Sequence, residues 1–193
     1  MKKIITSLAI LLFTFSILIP TSASAAGYTN ANAFFLDGLR ASVIKDCYVF
    51  ESDSVSTYGY STYVYDVQYM WSKTPNSDIT FWKSGSATHA DVRVYAGDFG
   101  LDLAGIAQPY INGKPVTEEK AQRWDYVNVN INDEYMKRNK ISERMKKKTV
   151  VHEFGHVLSL KHQPSNSVSV MKQGTTTYTL PQPLDKNNIS WKY

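Results

Sequence analysis

Cysteine is almost absent from the chain, and histidine is scarce. Cys47 is the single cysteine among 193 residues, so no internal disulfide can form. Stability must therefore come from a buried apolar core, which a chain of this length can build. Three of the four histidines lie in one short segment, as His152, His156 and His162. The packing of a core does not produce such a cluster, which therefore indicates a site.

Long apolar runs are also missing, with one exception at the start of the chain. Two lysines precede an apolar run over 4–20, and the small residues of 21–26 follow it. This order is typical of a secretory signal peptide, here cut after Ala25. A membrane anchor is the alternative, but the run is short for a span and no second apolar segment follows. We therefore expect a secreted, extracellular protein without a stable membrane anchor.

Neither charge sign dominates, since the formal net charge is +4. Basic residues cluster at 137–140 and 146–148. No nucleic-acid-binding motif accompanies these clusters, so we expect no nucleic acid partner. We interpret them as solvated helix faces. Attraction to anionic envelope polymers or acidic substrates is the alternative.

The pattern of apolar residues predicts a domain of the α+β class. Residues 58–71 favour a helix, and residues 143–160 predict a long helix that Ser142 can cap. Short apolar or alternating segments predict strands at 47–50, 78–83, 90–95, 103–110 and 126–131. We divide the chain into a signal peptide over 1–25, a short and loosely specified lead-in over 26–45, and one domain over 46–193.

The long helix carries the residues of a metal site. His152 and His156 are four residues apart, so both project from one helix face. Catalytic zinc takes three protein ligands and a water. Glu153 lies beside the first histidine and can accept the proton of that water, whose pKa zinc lowers to about 7.

His162 is the expected third ligand. On a continuous helix it would lie about 15 Å along the axis from His152, too far for a shared ion. The helix must therefore end near Ser159 and the chain must turn back. The alternative ligand is a glutamate further downstream, but no glutamate follows Glu153, and Asp185 is the only carboxylate left.

Residues 152–162 and Met171 together resemble the metzincins, zinc endopeptidases with the pattern His-Glu-x-x-His-x-x-Gly-x-x-His and a methionine turn. Within that family the chain is similar to the matrixins, as a small secreted bacterial type. The resemblance implies a metzincin-like catalytic domain over 46–193. Its fold would be a twisted, mostly parallel sheet of four to five strands packed on two long helices. The zinc helix, the methionine turn at Met171 and a short C-terminal helix at 184–189 would complete it.

The resemblance also implies how a substrate binds. One sheet edge would pair with an extended peptide, and residues 172–180 would wall the main specificity pocket. The residues of that edge are Leu103, Ala104, Gly105, Ile106 and Ala107.

Several positions depart from the family's pattern. Ser159 replaces the family's glycine, so we expect either a strained Ser159, at a cost of about 1–2 kcal/mol, or a different turn. Gln173 occupies the place of the tyrosine ligand that some metzincins have. His89 lacks the companions of a structural zinc site and is expected at the surface or at a strand end. Cys47 lacks the context of a masking propeptide cysteine and is expected as a small buried residue.

The expected function is that of a secreted zinc metalloendopeptidase, monomeric and with one catalytic Zn²⁺. Its partner is a protein or peptide substrate, hydrolysed by zinc-activated water with Glu153 as general base. Two alternatives remain open: a highly selective processing protease, and a secreted zinc-containing binding or toxin-like module without general proteolytic activity. Glu153 disfavours the last, because a structural zinc site has no use for a base.

Overall fold

The computed structural model describes residues 27–36, 38–117 and 123–193, so the predicted signal peptide lies outside the described residues. No helix in these ranges has the length and apolar character needed to cross a membrane. Two short 3-10 helices are Asn30–Ala33 and Ala87–His89. The α-helices are α1 Ala41–Lys45, α2 Asp53–Thr57, α3 Ser61–Ser72, α4 Asp133–Arg138, α5 Glu143–Val157 and α6 Pro183–Lys192. The strands are β1 Cys47–Glu51, β2 Phe81–Lys83, β3 Val92–Gly97, β4 Gly105–Ile111, β5 Lys114–Pro115 and β6 Tyr126–Asn132.

The strands form one sheet in the order β2-β1-β3-β6-β4-β5. Strands β2, β1, β3 and β6 are parallel, whereas β4 is antiparallel to both β6 and β5. The α+β class and the mostly parallel sheet are therefore confirmed. The sheet has six strands rather than four to five, because a tight turn brings β5 back onto the end of β4. In that turn Asn112 and Gly113 have φ of 51° and 71°, which is typical of a two-residue hairpin.

One face of the sheet packs against α3 and α5. Strict alternation buries Val92 and Val94 of β3 beside Val127 and Val129 of β6, in register across the parallel pair. Burying such a side chain contributes about 1.5–3 kcal/mol. The two helices also contact each other directly, since the Trp71 indole N–H donates to a backbone carbonyl of α5 at 3.2 Å. Helix α5 is therefore held against both the sheet and α3.

Residues 27–45 contribute to this same core. Four of their side chains are buried: Ala33, Phe34, Leu39 and Ile44. The lead-in is therefore packed against the domain and is not the loosely specified segment that its polar sequence predicts. Cys47 is likewise buried and has a free thiol, which confirms its interpretation as a small buried residue. The proposed boundary at residue 46 stays a prediction.

Helix α5 ends at Val157, three residues before the end of the helical pattern but close to Ser159, where the position of His162 requires a turn. The Leu160 N–H donates to the Gly155 carbonyl at 3.0 Å, and the Ser159 N–H to the His156 carbonyl at 2.8 Å. These two bonds form a Schellman motif, which needs a left-handed residue after the helix. Ser159 takes that place with φ of 64°, so the strained serine expected from the sequence is confirmed.

Gly38 makes room for this serine. A Cβ atom on Gly38 would overlap Ser159 Oγ and lie 3.0 Å from Ser159 Cβ. Because Ser159 is fully buried, it has little space to move away. The position of the helix-ending turn therefore depends on a glycine more than a hundred residues earlier in the chain.

We predict that Gly38→Ala lowers the free energy of unfolding by about 1–3 kcal/mol through overpacking. In a Ser159→Gly background the same substitution should cost less than about 0.5 kcal/mol, because the side chain that a Cβ on residue 38 would meet is gone. Urea unfolding of the four chains measures this double-mutant cycle. Gly85→Ala is the matched control, since a Cβ there meets nothing within 4 Å. If Gly38→Ala lowers the free energy of unfolding equally in both backgrounds, its cost does not come from the contact with the Ser159 side chain.

Candidate metal centre

The structure brings His152, His156 and His162 together at one point. The first two project from α5, and the third returns from the segment after the Ser159 turn. Each of the three Nε2–Nε2 distances is 3.1 Å. His152 and His156 are buried and His162 is half-buried. The three predicted ligands therefore converge, while their role as ligands stays a prediction.

Backbone carbonyls fix two of the rings in one tautomer. His152 Nδ1 lies 2.9 Å from the Val170 oxygen, and His156 Nδ1 lies 2.7 Å from the Leu160 oxygen. A carbonyl oxygen only accepts, so each Nδ1 carries the hydrogen and donates it. In a neutral ring Nε2 then presents an unprotonated lone pair. This arrangement is the usual partner of a metal-binding imidazole.

Burial keeps these rings neutral. Burial, followed by repulsion from the neighbouring imidazoles, lowers the pKa of His152 well below its ordinary value and that of His156 to about 3. The pKa of His162 is lowered by burial and then by the positive charge of Lys148. At neutral pH the Nε2 atoms of His152 and His156 are therefore unprotonated and free to act as ligands.

The donor set fits a zinc ion. Zinc binds imidazole nitrogen at roughly 2.0–2.1 Å in a tetrahedral arrangement, which separates the nitrogens by about 3.3 Å. The observed separations of 3.1 Å are close to that value. Three converging nitrogen lone pairs repel one another unless a cation lies between them. The triad could therefore hold a metal ion.

The carboxylate of Glu153 lies between the triad and the sheet. Its Oε2 accepts a hydrogen bond of 2.9 Å from the backbone N–H of Ala107 in β4. The strand approaches the helix closely because Gly105 has no side chain. A Cβ there would lie 2.7 Å from Thr149 Cγ2 and 3.1 Å from Glu153 Cγ. Sheet and helix thus position this carboxylate together.

A cleft of about 750 Å³ runs along β4 and past the triad and Glu153. All five residues of the predicted substrate edge line it, although β4 begins at Gly105, so Leu103 and Ala104 precede the strand. The predicted wall over 172–180 contributes Gln173, Gly174 and Thr175.

The predicted methionine turn lies beneath the metal-site helix. Met171 is buried, and a Cβ on Gly155 would overlap its sulfur atom. The Gln163 N–H donates to the Met171 carbonyl at 3.0 Å, so the turn also holds the residue after His162. Met171 therefore supports both segments that carry the histidines.

Asp185 is the supporting residue that the sequence did not reveal. It is buried in α6, and its carboxylate accepts from the Ser169 hydroxyl, from the Val170 N–H at 2.9 Å and from the Gln182 N–H at 2.8 Å. Val170 in turn supplies the carbonyl that fixes His152. The sequence carried one usable signal, since Gln182-Pro183 with an acid at the third helical position is a capping pattern.

Lys148 corrects one interpretation of the sequence. It is only 5% exposed, it lines the cleft, and its Nζ donates to the Lys172 carbonyl at 2.8 Å. Lys146 and Lys147 do form ion pairs with neighbouring carboxylates. The solvated helix face proposed for 146–148 is therefore wrong for Lys148, because this residue lies one turn before His152 on the buried face.

His89 lies away from the site. It ends the second 3-10 helix, is exposed, and belongs to no metal-ligating group found among the described residues. Its expected placement at the surface is confirmed.

We predict that Asp185→Ala lowers the free energy of unfolding by about 3 kcal/mol, because buried donors of the methionine turn lose a charged acceptor. Zinc affinity should also fall by about 10- to 100-fold, because His152 loses its positioning. Urea unfolding and competition with a chelator measure the two effects. Asp78→Ala is the control, since that carboxylate is exposed. If the two variants behave alike, Asp185 does not support the site.

No protein-family model matches the chain, and no curated protein matches it. Among solved structures it is similar to the GM1-bound form of the ECX AB5 holotoxin, with a TM-score of 0.46 and 14% identity over 85% of this chain and 76% of that one. It is also similar to myroilysin, with a TM-score of 0.46 and 16% identity over 75% of this chain and 90% of that one. Likenesses at this level do not assign the chain to a family.

Proposed function

We propose that this chain is a zinc-dependent endopeptidase of metzincin type. The observation that carries the proposal is the convergence of three imidazole Nε2 atoms, 3.1 Å apart, beside a buried carboxylate in an open cleft. A structural zinc site is closed by four protein ligands, whereas a catalytic site has three and an open position. The arrangement here is of the second kind.

His152, His156 and His162 would hold the ion, and the carbonyls of Val170 and Leu160 would keep two of the rings in the ligating tautomer. A bound zinc ion supplies a Lewis acid that polarises a peptide carbonyl and lowers the pKa of water to about 7. The remaining chemistry belongs to side chains and backbone of the cleft.

Glu153 would act as the general base. Its carboxylate accepts the proton of the attacking water and returns it to the nitrogen of the departing amine. One of its oxygens is held by the Ala107 N–H, which restrains the carboxylate toward the cleft. A proton acceptor fixed in this way avoids the loss of side-chain freedom during the reaction.

Strand β4 would bind the substrate backbone. In the antiparallel pair with β6, the backbone hydrogen-bonding groups of Ala104 and Ile106 point toward β6. Those of Gly105 and Ala107 point away from β6, toward the cleft. Strand β5 covers the outer edge of β4 at Tyr110 and Ile111. Within the described residues no strand pairs with the outer edge at Gly105, so an extended peptide can add there.

We further propose that the protein is secreted, acts outside the cell as a monomer, and cleaves protein or peptide substrates with one zinc ion. The signal-peptide pattern of 1–25 supports secretion. Two alternatives are a highly selective processing protease and a zinc-containing binding module. Unlike a general protease, neither would cleave unrelated proteins. The following experiment separates them.

We predict that the chain without residues 1–25 hydrolyses denatured casein and that Glu153→Gln lowers the rate by at least about 100-fold. Glutamine keeps the size of the side chain and an acceptor for Ala107, so a loss of rate reports on the base rather than on packing. Zinc content, measured for both chains, should be one ion each. Zinc in both chains without cleavage by either would overturn the general protease and favour the selective or binding alternatives.

A further inference from the structure

Lys148 is a buried cation for which the described residues provide a single neutral acceptor. Its ammonium group carries three N–H donors, and one of them is used by the Lys172 carbonyl. None of the ion pairs between described residues includes Lys148. A charge buried without a full set of partners destabilises a fold. Its place in the cleft therefore calls for a functional explanation.

Lys148 lines the cleft one helical turn before His152. Met145, Thr149 and His152 lie beside it on α5, while Ile141 and Tyr135 line the same cleft. Gln173 and Gly174 contribute from the segment after the methionine turn. None of these neighbours carries a carboxylate. A buried cation in a partly apolar cleft binds an incoming anion more strongly than the same cation does in water.

Two carboxylates also line the cleft, and no ion pair found among the described residues joins either of them to Lys148. Asp102 is exposed and lies 3.5 Å from Arg138. Glu153 attracts Lys148 electrostatically, but burial outweighs this attraction and lowers the pKa of the lysine to about 8. The Lys148 side chain lines the cleft, and the acceptor that the described residues give its Nζ is the neutral Lys172 carbonyl.

The bond to Lys172 does not by itself explain a lysine at this position. A neutral amide such as glutamine could donate to that carbonyl without the cost of burying a charge. The lysine thus provides more than a hydrogen bond to the wall of the cleft: it places a positive charge, engaged in no ion pair found among the described residues, one helical turn before His152.

We propose that Lys148 determines substrate specificity and selects peptides with an aspartate or glutamate side chain in the pocket beside the metal centre. This inference rests on the proposed peptidase function and names its substrate class. A substrate carboxylate would accept charge-assisted hydrogen bonds from the N–H donors that Lys172 leaves free. An uncharged substrate would leave the cation buried and unpaired, which disfavours it strongly.

The test is a digest of a random peptide library by the chain without residues 1–25, with cleavage sites read by mass spectrometry. Wild type should enrich acidic residues at one fixed position relative to the cut bond. Two peptides that differ only by glutamate or glutamine at that position should then differ in kcat/KM by about 100-fold.

Two variants assign this preference to Lys148. Lys148→Met and Lys148→Gln should both reduce the glutamate-to-glutamine ratio to within about threefold, and the second keeps a donor for Lys172. Lys147→Met is the matched control and should retain the full ratio, because that lysine pairs with Asp66 on another side of the helix. Circular dichroism and zinc content establish that each variant is folded.

The outcomes separate this inference from the function on which it rests. Cleavage of casein or library peptides without an acidic preference would overturn the role of Lys148 and leave the peptidase intact. An acidic preference that persists in a folded Lys148→Gln chain would do the same. If the zinc-loaded wild type cleaves nothing, the proposed function fails and this inference fails with it.

Discussion

The site depends on the reversal of the chain at the end of α5. Three imidazoles can meet only if the helix stops after His156 and the next residues turn back, and the Schellman motif at Ser159 produces that turn. The segment at Ala33 and Phe35 fixes it from outside. The Phe35 N–H donates to the Ser159 carbonyl at 2.9 Å, and the Lys161 N–H to the Ala33 carbonyl at 2.8 Å. The lead-in therefore helps to place His162.

The C-terminal part of α5 is fully buried although it carries polar and charged side chains. Every residue from Lys148 to Val157 is buried, including two histidines, a glutamate and a lysine. Burying such groups is costly unless each has a partner. The partners come from three separate segments: β4 for Glu153, the methionine turn for His152, and the turn after the helix for His156. Removing any one of these segments would take a hydrogen-bond partner away from a buried polar group.

Much of the architecture followed from periodicity. Alternating apolar residues located β3 and β6, and the helical pattern located α3 and α5, because each alternation reflects one face packed on the core. The end of α5 near Ser159 also followed, since His162 could not otherwise approach its companions. The pairing of β5 did not, because two residues are too few to show a period.

The sequence by itself determined which residues could form a metal centre, because the spacing of His152, Glu153 and His156 on a helix is a local property. Only the tertiary structure decided what covers and supports them. The carboxylate of Asp185 beneath the methionine turn and the Ala107 N–H beside Glu153 are contacts between segments distant in sequence. Lys148 shows the difference most clearly. Composition places it in a basic run of the kind that faces solvent, whereas the structure buries it in the cleft that the three histidines line, with its Nζ bonded to the Lys172 carbonyl.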